Sequence, residues 1–280
     1  MKRIIAAFDG LRFSESTKRS ALYLAKKTGS HLAGVFLDDP LNTSYDIYNE
    51  IKAKGLSDAT LKKLEEKDRA IRIAAAASFE QTCLETGLEF TIHHDRKIAI
   101  QDLKHESIYA DLLMIGAKET LTNSTEKPPT LFIRDLLADI QCPVYLVPEK
   151  YKLLDKIILL YDGEPSSVYA IKMFSYLLPQ LKYLETEVLT INPGKKHHHL
   201  PDKKLMKEFM KNHFPNAAYK IRKGLAEDEI VKYLKQQNEN TLVVLGAYRR
   251  STISRWFRES MADVLLKKLK LPLFIAHNKS

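Results

Sequence analysis

Residues 2–10 read KRIIAAFDG, and residues 156–163 read KIILLYDG. Each is an uninterrupted apolar run ending in Asp-Gly, at Asp9-Gly10 and at Asp162-Gly163. Such a run is what a parallel strand covered on both faces looks like. Two further pairs repeat at the same places in the chain. ADLLMIGA, ending at Gly116-Ala117, matches NTLVVLGA, ending at Gly246-Ala247, and QCPVYLVP around Pro143 matches KLPLFIAH around Pro272. The Gly-to-Pro spacings, 116 to 143 and 246 to 272, differ by a single residue, so the chain is a tandem duplication.

Between the anchors, strands alternate with helices. Ser14-Glu15-Ser16-Thr17 is a helix start, followed by Ala21, Leu22, Leu24 and Ala25 at helical spacing and stopped by Gly29. The segment from about 46 to 86 is rich in Ala, Lys and Glu and includes IRIAAAASFEQTCLE before Gly87. The second half repeats the order with a shorter segment at this point, so the first copy carries extra helix between its second and third strands. Alternation of this kind forces right-handed crossovers and a parallel sheet covered by helices on both faces. The expected domains are residues 1–150 and 151–280, joined by a short linker around 149–154 that holds them close together.

At 280 residues, 45% apolar and 28% charged, the chain has the composition of a globular protein of two domains. No apolar stretch reaches the roughly 20 residues a membrane span needs, and the first residues form a strand rather than a signal peptide, which gives a cytoplasmic expectation. Residues 1–150 carry 21 Lys/Arg and 22 Asp/Glu, and residues 151–280 carry 23 and 13. The basic half suits either an acidic partner, such as a nucleotide, another protein or nucleic acid, or simply a solubilising surface. Cys83 and Cys142 have no metal or redox spacing and are expected to be buried fillers.

In an open parallel sheet, ligands bind beyond the strand ends where strand order reverses. Asp9 and Gly116 flank that crevice in the first copy, and Asp162 and Gly246 do so in the second. A glycine after strand four lets backbone approach a phosphate, and the following helix offers free N–H groups. These paired motifs, with a terminal helix and a Cys-Pro-Val strand, resemble the universal stress protein family as two fused domains covering nearly the whole chain. The resemblance implies two tandem doubly wound α/β domains with parallel sheets, adenine nucleotide alpha hydrolase-like, in the flavodoxin-like order 3-2-1-4-5.

Nucleotide-binding members carry G-x-x-G-x9-G-[S/T] after strand four, with the early Asp on the adenosine. In the second copy Gly246 and Ser260 match, whereas Arg249 and Glu259 stand at the second and third glycines. Arg249 has a Cβ and a long side chain where backbone should come close, although its charge suits phosphate. Glu259 would compete with phosphate for the helix N-terminus; Arg250, Arg255 and Arg258 offset it. In the first copy Glu119 stands at the second glycine, Thr130 near the third, and Pro128-Pro129 stiffen the loop.

The nucleotide-binding candidates are therefore Asp162, Gly163, Ile191, Leu245, Gly246, Arg249, Arg250, Ser260 and Met261, with ATP the candidate ligand in the second domain; the competing reading makes the arginine-rich loop a solvated or subunit-contacting surface. Asp9, Gly10, Val35 and Gly116 form a vestigial crevice from which no nucleotide is expected. The resemblance further implies that the last strands, with Val144, Tyr145, Leu146, Leu273, Phe274 and Ile275, pair across domains or subunits.

His197-His198-His199 with His213 suggest a divalent metal, but consecutive histidines cannot all face one ion, and a surface loop is the simpler reading. For His93-His94-Asp95, strand alternation predicts one histidine in the core and one in solvent. Arg249, Arg250, Arg255, Trp256 and Arg258 resemble a single-strand nucleic-acid patch, yet one Trp in one loop reads better as packing. Ser251, Thr252 and Ser254 among those arginines offer an opportunity for phosphorylation. No nucleophile–base pair and no G-x-x-x-x-G-K-[S/T] loop is present. The expectation is a non-enzymatic regulatory or protective protein, with an ATP sensor and a slow nucleotide hydrolase as alternatives.

Overall fold

A computed structural model describes residues 1–39, 42–45, 57–95, 98–192, 199–246 and 260–276. The chain divides into two compact units, Lys2–Gln141 and Cys142–Ser280, the latter with Met1. Each alternates strand and helix around a mostly parallel sheet, the doubly wound α/β arrangement.

In the first unit the order is β1 (Arg3–Asp9), α1 (Glu15–Thr28), β2 (His31–Leu37), α2 (Asp58–Thr86), β3 (Phe90–Asp95), α3 (Ala99–Glu106), β4 (Leu112–Gly116) and α4 (Leu131–Asp139). The strands lie β3-β2-β1-β4, all parallel. Six of the seven residues of β1 and of β2 are buried, as their apolar runs require. Helix α1 begins where the Ser14 hydroxyl accepts from the Thr17 N–H and turns Ala21, Leu22, Leu24 and Ala25 inward. Helix α2 is 29 residues long, capped by Ser57, and its buried stripe runs Asp68, Ala75, Ala76, Phe79, Cys83. Phe79 anchors an aromatic cluster with Phe8, Phe36 and Phe90, at centroid distances of 5.5, 6.1 and 6.4 Å.

Strand β3 corrects the alternation reading. Neither histidine is in the core: the side chains of His93 and His94 are 34% and 40% exposed, pairing with Glu106 and Asp38 respectively. Strand β3 is the outer strand of its unit, and carboxylates hold both rings.

In the second unit the order is β5 (Val144–Val147), β6 (Lys156–Leu160), α5 (Pro165–Leu177), β7 (Glu185–Asn192), α6 (Lys203–His213), β8 (Ala218–Lys223), α7 (Ala226–Leu234), β9 (Thr241–Gly246), α8 (Met261–Lys268) and β10 (Leu273–Ala276). The strands lie β5-β10-β9-β6-β7-β8. From β8 to β10 this is the order 3-2-1-4-5 of the second copy, parallel throughout. Strand β5, the last of the first copy in sequence, packs here, antiparallel to β10, with Leu273 opposite Leu146, Phe274 opposite Tyr145 and Ile275 opposite Val144. All six residues are buried, and β10 is flanked on both sides.

Candidate functional site

The strand order reverses between β1 and β4 in the first unit and between β6 and β9 in the second, and an aspartate stands at each point. Both make the same turn. Asp9 Oδ1 accepts from the Leu11 N–H at 2.9 Å, and Asp162 Oδ1 accepts from the Glu164 N–H at 3.0 Å. This Asx-type turn fixes the carboxylate at the strand end, so the duplication is visible in hydrogen-bond geometry as well as sequence.

The first crevice is closed by its own side chains. Asp9 is 0% exposed. Asn42 Nδ2 donates to its Oδ1 at 3.0 Å and Arg12 Nε to its Oδ2 at 3.0 Å, while Arg12 Nη2 reaches across to Thr120 Oγ1 at 2.8 Å. Glu119, at the motif's second glycine, is buried with its N–H bonded to the Gly116 carbonyl. Burial, and then the nearby charge of Asp9, push its carboxyl up to about 7, against the opposing pull of Arg12 and the N–H groups of Leu121 and Thr120. Val35 is fully buried. Gly116 has room for a side chain, since an added Cβ would meet only Thr17 Oγ1 at 3.7 Å and Glu119 Oε2 at 3.9 Å.

The second crevice stands differently. Asp162 is exposed, Ile191 is half-buried and Leu245 is buried. Gly163 adopts φ +88°. The bareness of Gly246 has a packing cause: an added Cβ would lie 2.4 Å from the Ser166 carbonyl oxygen and 2.9 Å from the Ser167 nitrogen, in the first turn of α5. Gly246→Ala is therefore expected to cost about 1–3 kcal/mol through overpacking against backbone. Urea denaturation checks this, and a variant as stable as the parent would mean that α5 shifts without cost.

Ser260 caps α8: its hydroxyl accepts from the Asp263 N–H at 3.2 Å, and the Asp263 carboxylate accepts from the Ser260 N–H at 3.2 Å. Thr130 caps α4 with its hydroxyl alone, accepting from the Ile133 N–H at 3.2 Å, which makes it the counterpart of Ser260. A phosphate at α8 would meet a helix end whose N–H groups already have a hydroxyl and a carboxylate. Met261 opens that helix. Arg249, Arg250, Ser251, Thr252, Ser254, Arg255, Trp256, Arg258 and Glu259 lie outside the described residues.

Sequence reasoning found both aspartates but missed the plug. Arg12, three residues after Asp9, was a signal within reach, because a cation there can double back on the carboxylate. Asn42 arrives from 33 positions away, and no local pattern announces it.

The remaining candidates resolve into packing. Cys83 and Cys142 are buried thiols that form no disulfide, and burial pushes the Cys83 thiol up to about 11. His213 is buried, hydrogen-bonded to Ser175 at 2.7 Å and flanked by Phe209 and Tyr176. Burial, then Lys182 and Lys172, lower its pKa. His199 is exposed, whereas His197 and His198 lie outside the described residues. Among the described residues no cluster of three metal-ligating side chains occurs, and no helix is long and apolar enough to cross a membrane.

Two units, each with an Asx-turned aspartate at its switch point, define a tandem doubly wound α/β protein. No family model matches the chain. It is similar to universal stress protein Slr1230 of Synechocystis sp., with 20% identity covering 98% of this chain and 99% of that protein. Among solved structures, a universal stress protein from Archaeoglobus fulgidus superposes with a TM-score of 0.66 at 14% identity, covering 99% of this chain and 97% of the other. A protein of unknown function from Pseudomonas aeruginosa PAO1 does so with a TM-score of 0.63 at 14% identity, covering 99% and 92%. The resemblance to the universal stress proteins thus extends from end to end, in sequence and in fold.

Proposed function

We propose that this chain is a tandem universal stress protein of the cytoplasm that acts without catalysis, regulating or protecting through a protein partner, and that its first unit holds no nucleotide. The observation that carries this reading is the closure of Asp9. Its carboxylate, the group that would meet adenosine, is fully buried beneath Arg12 and Asn42. A ligand would have to break those bonds and displace Glu119 as well. Neither crevice pairs a nucleophile with a base among the described residues, which favours binding over chemistry.

A second reading rests on Asp162, which is exposed at the end of β6 and accepts from the Glu164 N–H. It makes the second unit an ATP sensor with Asp162, Gly246, Arg250 and Ser260 as contacts. Thermal unfolding with millimolar ATP and Mg²⁺ separates the two. Ligand at a hundred times its dissociation constant stabilises by about 2.7 kcal/mol. The expected result is no shift for the natural chain and a clear shift for Arg249→Gly/Glu259→Gly. A shift in the natural chain that Asp162→Ala abolishes would establish the sensor. One that survives Asp162→Ala would overturn the closed first crevice, and phosphate release lost in Asp162→Ala would overturn the non-catalytic reading.

A further inference from the structure

Helix α2 departs from core packing in its first half. Glu65, Asp68, Arg69, Arg72 and Ile73 fall at helical spacing on one face, and together they line one side of a cavity of about 590 Å³ in the first unit. Further along the same helix the buried stripe is Ala75, Ala76, Phe79 and Cys83. A helix face that changes from charged to apolar while keeping its period has one half built for something other than the core.

Some of the lining groups are bound up in the frame. Asp38 accepts from Arg72 Nη1 at 3.0 Å through one oxygen and pairs with His94 Nδ1 at 3.0 Å through the other. Arg72 Nη2 also donates to the Asn42 carbonyl at 2.6 Å. Asn42 is thus the wall between this cavity and the closed crevice, since its side-chain amide seals Asp9.

Other groups have bonding capacity to spare. Asp68 is 6% exposed and accepts from the Ser44 N–H at 2.9 Å and from the Ser44 hydroxyl, with no cation paired to it among the described residues. Tyr45 is 8% exposed and lines the cavity, and its hydroxyl has no hydrogen-bond partner among the described residues. Glu65 is exposed at the mouth and Ile73 is 58% exposed. Among the described lining residues, with Asp38 held by Arg72 and His94, the carboxylates of Glu65 and Asp68 face one guanidinium, that of Arg69, which leaves an excess of one negative charge. The Tyr45 phenol reports the same sign: burial first, then Glu65 and Asp68, push its pKa up.

We propose that this cavity binds a small organic ammonium ion, held by the Asp68 and Glu65 carboxylates and the Tyr45 hydroxyl oxygen, with its hydrocarbon part against Ile73. A buried carboxylate that has only neutral donors is costly, and an ammonium group with three N–H donors supplies the missing charge and bonds. The volume lies within the range of small-molecule sites, roughly 300–1,000 Å³.

Calorimetric titration of the full chain at matched ionic strength tests this, with methylamine, 1,4-diaminobutane and tyramine as probes and 1,4-butanediol and succinate as neutral and anionic controls. Saturable binding of at least one amine is expected, with neither control bound. Tyr45→Phe and Glu65→Gln should each weaken binding at least tenfold. Both variants are expected to fold, since neither removed group makes a bond inside the described protein, and circular dichroism verifies it. Silence from all three amines, equal binding of either control, or unchanged affinity in both variants would overturn the proposal.

Discussion

Phe79→Ala is expected to lower the stability of the first unit by about 3–5 kcal/mol, the range for truncating a fully buried aromatic ring. Phe79 is 0% exposed and its ring meets Phe8, Phe36 and Phe90. The ring also lies directly on strand β2 at Gly34, where an added Cβ would sit 2.6 Å from it. That geometry places the loss at the high end, because a bare glycine beneath the ring offers no side chain to move into the hole. A second substitution sharpens the result. Gly34→Ala alone should destabilise by overpacking, yet on the Phe79→Ala background it should recover part of the loss, since its methyl then occupies vacated space. Guanidinium denaturation of the four proteins forms the cycle. A Phe79→Ala cost under about 1 kcal/mol, or strictly additive substitutions, would contradict the packing of α2 on β2.

Glu119→Gln should remove a pH dependence from the natural protein. The folded carboxyl titrates at about 7 and the ordinary value is 4.5. Between those values the folded state keeps a proton that the unfolded chain has released, so stability fully present below pH 4.5 declines as pH rises and is lost once pH passes 7. A difference of about two and a half pH units at about 1.4 kcal/mol each amounts to roughly 3 kcal/mol. Glutamine keeps an acceptor for the Thr120 N–H without the charge. The variant should therefore match the parent near pH 4 and exceed it by about 3 kcal/mol at pH 8, as read from denaturation midpoints at both values. Parallel pH profiles would mean that Glu119 is hydrated or paired more fully than its surroundings allow. The same substitution tests the plug, because that cost is borne by the side chain standing where the motif has glycine.

The fold was readable because its signals are local. Apolar runs such as Ile4–Phe8 can only be covered strands, Ser14 and Gly29 punctuate α1, and the repetition of Asp-Gly and Gly-Ala supplied the topology twice over. The histidines of β3 were misread for a nonlocal reason: alternation assumes a covered face, and only the tertiary position of a strand says whether it has one. The site was half legible. Asp9 and Asp162 occupy equivalent turns, but one is sealed by Asn42 and Arg12 while the other faces solvent, and that difference rests on a residue from a distant loop. The role of Gly246 was also hidden, because backbone crowding by α5 and backbone approach by a ligand demand the same residue. The charged face of α2 is present in the sequence at 65, 68, 69 and 72, but no local pattern places Tyr45 and Asp38 across from it.

The antiparallel seating of β5 beside β10 means that the repeat and the compact unit end at different residues. A fragment cut at the duplication boundary, beginning at 151, would leave β10 with unpaired backbone donors and acceptors along one side and an apolar strand at the rim, the recipe for edge-to-edge aggregation. Begun at 142, the same half would bring its own cover strand. Attempts to express the copies separately, or to exchange one between relatives, should therefore carry Val144–Val147 with the half that follows it, and mixing a 151–280 fragment with a synthetic peptide of that strand would amount to donor-strand complementation within a single ancestral chain.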